Sequence, residues 1–191
     1  MRRYGINLLA LIGCIGVAIF GYYFGYRYPL TSMRAFRITA DSMCPAVCQN
    51  EHMFAQMDPA SGYVPKRNDV ILFHYQGMPT NWVKRVIGVP GDVISSGTDN
   101  TILVNGTAWR APAECGGPSH PKKLDGAGDE AQPFEAIKVP GGSFFVIGDN
   151  LAHSFDSRIK GFGLVPQSQI TGKALMVYYS PRLSRIGCRI R

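Results

Sequence analysis

Three short segments carry residue types that could do chemistry. The first is Ser42-Met43-Cys44-Pro45, directly after the alternating stretch 36–40, FRITA. A serine at a strand end before a turn presents its hydroxyl beside backbone N–H groups. Taken alone it is equally an ordinary turn serine. The second is the run 82–88, WVKRVIG. Strand side chains alternate, so Trp82, Lys84 and Val86 share a face and Arg85 points the other way. A lysine flanked by Trp and Val on a buried face loses solvation, which lowers its pKa and makes it a base near neutral pH. On a half-exposed strand the same lysine would simply reach its head group to water. The third is the segment 148–158, GDNLAHSFDSR, where small, acidic and hydroxyl residues crowd behind an apolar strand. Such polar density fits a reactive site or a capped loop.

Other chemistries lack their motifs. The sequence holds no HExxH, paired CxxC, GxSxG or phosphate-binding glycine loop. Ser157 and Lys160 fit S-x-x-K, but its companion motifs and helical context are missing, so the match is read as chance. Cys44, Cys48 and His52 recur every four residues. Pro45 argues against the helix that would align them, and a fourth ligand is missing, so neither metal nor cofactor is expected. Cys44, Cys48, Cys115 and Cys188 are an even number outside the apolar N-terminal run, as an oxidising compartment favours. They allow three pairings, of which Cys44–Cys48 is local.

The elements that must position these residues are short strands. Runs at 69–75, 81–89, 92–95, 101–104, 134–139, 143–149 and 172–179 are β-branched and aromatic, with turn residues between them. Asn105-Gly106 marks a two-residue hairpin and Pro90-Gly91-Asp92 another turn. Residues 111–133 read as a long loop or insertion, rich in Pro, Gly and charge. After residue 30 no long amphipathic helix is evident. The expected fold is mainly β, a curled antiparallel sheet or barrel-like domain over 29–191.

Ahead of it lies a membrane anchor, residues 1–28. The run 6–26 has no charged side chain, spans ~31 Å as a helix, and ends among Tyr22, Tyr23, Tyr26 and Tyr28. It is long for a cleaved leader and lacks an Ala-x-Ala site. Arginines flank both sides, so charge does not decide the topology. With 46% hydrophobic and 17% charged residues, the 191-residue chain is not a disordered tail. Its net charge of +7 suits anionic lipid or nucleic acid and identifies neither.

The three segments together resemble the bacterial type I signal peptidases (leader peptidases). That family pattern runs S-M-x-P, then K-R-V-x-G-x-P-G-D, then G-D-N-x-x-x-S-x-D-S-R-x-x-G. Here the blocks are SMCP (42–45), KRVIGVPGD (84–92) and GDNLAHSFDSRIKG (148–161). The resemblance implies a membrane-anchored Ser/Lys endopeptidase at the bacterial inner membrane, with its catalytic domain on the trans side. It would remove signal peptides from exported preproteins after small residues. It makes Ser42 the nucleophile, Lys84 the general base, Ser154 the serine that orients the amine, and Asp156 with Arg158 a supporting ion pair. Asp149 and Asn150 open the third block as further supporting residues. The partners implied are preproteins and the lipid bilayer, not nucleic acid. Ala46, Leu151 and Ala40 depart from common family choices, Ala40 at a position where some members carry a second oxyanion donor. Asp41, if close, would raise the lysine pKa. A dedicated maturation peptidase for conjugative pilins is the alternative with the same chemistry; an anchored, non-enzymatic export scaffold is the alternative without it.

Overall fold

A computed structural model describes residues 13, 15, 16, 22, 32–57, 63–97, 101–112 and 133–191. The chain divides into two compact units, Met1–Met33 and Arg34–Arg191. Most of the expected anchor lies outside the described residues. Gly13, Ile15, Gly16 and Tyr22, which are described, are helical. Among the described residues no helix is long and apolar enough to cross a membrane. The core of the expected insertion, 113–132, and Cys115 with it, also lies outside them.

The larger unit is built of antiparallel strands. They are β1 (Met33–Arg37), β2 (His52–Met57), β3 (Val70–His74), β4 (Asn81–Gly88), β5 (Val93–Ser96), β6 (Ile102–Val104), β7 (Thr107–Ala108), β8 (Ile137–Lys138), β9 (Ser143–Ile147), β10 (Val165–Pro166) and β11 (Ile170–Tyr179). One sheet has the order β1-β2-β11-β3-β4-β9-β10 and the other β7-β6-β5-β8. The last strand, β11, thus lies between β2 and β3.

Period-two alternation explains how short strands serve two cores. On β3, Val70 and Leu72 enter one apolar cluster with Met43, Val47, Met53 and Val177. Ile71 and Phe73 enter another with Phe144, Val146 and Phe162. On β9, Phe144 and Val146 serve that second cluster, while Phe145 and Ile147 face Ile87, Ile94 and Val139. Strands covered on both faces read as continuous apolar runs, which is how these appear in the sequence. Asn105 and Gly106 take φ of 51° and 77°, so the β6–β7 hairpin has the positive-φ turn their types favour.

Two expectations need correction, and one strand was not expected. The sheets are open rather than closed as a barrel: β10 is a two-residue edge ending in Pro166, which has no N–H to extend a ladder. Strand β2, HMFAQM, carries a weak β pattern and gains its place by pairing along β11. The run 134–139 yields only Ile137–Lys138, because β5 pairs with it at two positions.

Candidate active site

Ser42 sits in the loop between β1 and β2, and Lys84 in the middle of β4. Their side chains meet: Lys84 Nζ and Ser42 Oγ are hydrogen-bonded at 2.8 Å. Lys84 is 3% exposed. Pairing opposite Ile71 on β3 fixes its register, and its Nζ stands 5.9 Å from the centre of the Trp82 ring. Desolvation drives its pKa down from 10.5 to about 8. Asp156 and Asp149 pull it up and Arg158 pushes it down, all more weakly than burial. Asp41 is not among the groups that shift it. The amine is therefore uncharged in a large fraction of molecules at mildly alkaline pH.

The 148–158 segment holds the Ser42 loop from the other side. Asn150 N–H donates to the Ser42 carbonyl at 3.0 Å. The Asn150 side-chain amide donates to the Asp41 carbonyl at 3.1 Å and to its carboxylate at 3.3 Å. Gly148 packs so closely that a Cβ there would overlap the Ser42 carbonyl and the Ser154 hydroxyl. The Ser154 hydroxyl accepts from the Gly148 N–H at 3.1 Å; it is this N–H, not the Lys84 amine, that it bonds in this structure. The same N–H donates to Asp156 at 3.0 Å. Asp156 is fully buried and forms a two-pronged ion pair with Arg158, at 2.8 and 2.9 Å. Arg158 also donates to the Leu151 carbonyl.

Asp149 pairs with Arg85, the neighbour of the lysine. Its carboxylate takes two parallel bonds from Arg85, at 2.7 and 2.6 Å, and both residues are buried. Arg85 also donates to the carbonyls of Asn68 and Arg191. The alternation that turned Lys84 toward one face put Arg85 on the other, but its buried partner lay 64 residues away and was not legible locally. This pair ties β4, which carries Lys84, to the segment after β9 that contacts the Ser42 loop.

Between these elements runs a groove of about 430 Å³. Ile38, Thr39 and Ala40 form one wall, Trp82, Val83 and Lys84 another, and Ser42, His153 and Phe155 also line it. Trp82 and Phe155 lie edge to face, with ring centres 6.3 Å apart.

Cys44 and Cys48 are joined in a disulfide, which takes both sulfurs out of any metal-ligand role with Asp41 or His52. His52 instead contacts Tyr178 and Tyr179.

The family described as signal peptidase, peptidase S26, matches residues 8–179. Signal peptidase I S of Bacillus subtilis (strain 168) is 32% identical over 142 residues, 74% of each chain. Signal peptidase I P of Bacillus subtilis subsp. natto is 33% identical over 144 residues, 74% of this chain and 75% of that one. A solved signal peptidase I from Enterococcus faecalis V583 has 29% identity and a TM-score of 0.45, covering 59% of this chain and 98% of that one.

Proposed function

Because this chain belongs to the signal peptidase family, peptidase S26, and is a serine endopeptidase of the signal peptidase I type, we propose that it removes signal peptides from exported preproteins with Ser42 as nucleophile and Lys84 as general base. The observation that carries the assignment is the 2.8 Å contact between a serine hydroxyl and a buried, weakly basic amine.

The chemistry follows from that pair. Neutral Lys84 takes the Ser42 proton as Oγ attacks the scissile carbonyl. The tetrahedral oxyanion forms beside the loop backbone, where the Ser42 N–H is the donor at hand. With Ala40 two residues earlier, no side-chain hydroxyl is offered from that position. The charged Lys84 then returns its proton to the leaving amine, and the acyl group stays on Ser42. Water, deprotonated by the again-neutral amine, attacks the ester and frees the serine. Ser154, Asp156, Arg158, Asp149 and Asn150 support these steps without exchanging protons with substrate.

The preference expected of this family is for small side chains before the cut bond, and the groove beside Ser42, with Trp82 and Phe155 among its lining, is where they would bind. Anchoring through residues 6–26 in the bacterial inner membrane, with the peptidase unit on the trans side, is supported by that uncharged run and by the Cys44–Cys48 disulfide. Disulfides persist in oxidising compartments.

The test is cleavage of a purified preprotein by the full chain in detergent. Ser42→Ala and Lys84→Ala should each abolish cleavage while circular dichroism stays native. Cleavage surviving in either folded variant would overturn the dyad.

A further inference from the structure

Arg182, Arg185, Arg189 and Arg191 read in the sequence as a basic tail, suited to an anionic lipid surface or equally to plain solvent. Arg185 does not belong with the others, because it is 1% exposed. Its guanidinium is inserted under the loop that carries Ser42. Nη2 donates to the carbonyl of Pro45 at 2.8 Å and to that of Ala46 at 3.0 Å. Nε and Nη2 hold the Glu51 carboxylate at 2.5 and 3.0 Å. That carboxylate also accepts the Cys48 N–H and the Ser180 hydroxyl, each at 2.8 Å. Burial works against the charged form of Glu51, but these donors hold its pKa below the ordinary value.

The loop is thus gripped at several points. Its neck is closed by Ile38 N–H to the Glu51 carbonyl and Asn50 N–H to the Ile38 carbonyl, each 2.9 Å. Its tip is a covalent ring, Cys44 to Cys48. Inside that ring, the carbonyls of residues 45 and 46 and the N–H of residue 48 are all satisfied by Arg185 and Glu51. Without the guanidinium, two carbonyls in a closed environment would have to turn toward water, and the ring would turn with them. Ser42 lies two residues from the ring, and its contact with Lys84 tolerates little displacement.

We propose that Arg185, acting through Glu51 and the 44–48 ring, is a positioning residue that sets Ser42 Oγ at reacting distance from Lys84 Nζ. This rests on the Ser42/Lys84 reading. Its sequence neighbourhood gives no hint of the role, because the loop it serves is about 140 residues away.

The experiment uses the full chain in detergent with Arg185→Lys and Glu51→Gln. Two quantities are read: amide hydrogen exchange over 43–48, and kcat and KM on a preprotein-derived peptide. In the folded variants, exchange in the loop should rise about tenfold, with the strands unchanged. The kcat should fall about tenfold or more with KM within about twofold, and the pH midpoint should stay at the wild-type value. Arg185→Met should lose more than Arg185→Lys, which keeps a charged donor group. If the charge variants do not fold, Ser180→Ala removes one bond to Glu51 and should move both readouts the same way by about threefold. Unchanged loop exchange, or unchanged kcat, in any folded variant overturns the proposal, as does faster exchange spread over all strands. If the wild type does not cleave the peptide, the peptidase reading fails, and loop exchange alone decides whether Arg185 holds the loop.

Discussion

The Ser42 carbonyl oxygen occupies the space that a side chain on residue 148 would need, with the Ser154 hydroxyl beside it. Glycine at 148 is thus a condition for seating the Ser42 loop against the end of β9. Since the nearest atoms include backbone, they cannot swing aside. Gly148→Ala should lower stability by about 1–3 kcal/mol and reduce kcat more than it raises KM. Urea unfolding and steady-state kinetics on the same preparation check this; a fully active Gly148→Ala enzyme would show the contact to be yielding.

The pH dependence follows from the base. As the proposed base, Lys84 would act when uncharged, and burial brings its pKa down from 10.5 to about 8. Values of kcat/KM should climb through about pH 8 and level off above it, and at pH 6 be lower by about a hundredfold. Asp156→Asn removes a group that raises the Lys84 pKa and should move the midpoint toward acid. Arg158→Met removes one that lowers it and should move the midpoint toward alkali. Midpoints that shift together, or a profile flat from pH 6 to 9, would contradict the electrostatics.

The same burial has a thermodynamic cost. Lys84 holds its proton less tightly folded than unfolded, so the unfolded chain binds more protons between pH 8 and 10.5. Its penalty is therefore full below pH 8 and fades as pH rises toward 10.5. Lys84→Met should be inactive yet more stable by about 3 kcal/mol at pH 6, with the advantage vanishing near pH 11. Denaturant midpoints across that range measure it.

What the sequence made legible was local. Strand alternation at 82–88 turned Lys84 and Arg85 to opposite faces, and Asn105-Gly106 announced its hairpin. Pairings over long separations were not legible. The Arg85–Asp149 pair joins residues 64 apart, and Arg185 meets Glu51 across 134. Neither partner has a spacing that would reveal the other, and Arg185 looked like solvated charge because its neighbours are. Strand β2 was missed for a related reason: HMFAQM is a middling β-former that forms a strand only because β11 pairs along it. The role of Ser154 was read from its place in a motif; its hydroxyl bonds the Gly148 amide, a contact that only the three-dimensional path of 148–154 defines.

The order of strands in the larger sheet places the proposed nucleophile and base on separate strand pairs. Ser42 precedes β2 and Lys84 lies on β4, and the strand wedged between β2 and β3 is the last one made. Residues 170–179 stitch the β1–β2 pair, whose loop holds Ser42, to the β3–β4 pair, which holds Lys84, so a register slip in that one strand would part the proposed dyad.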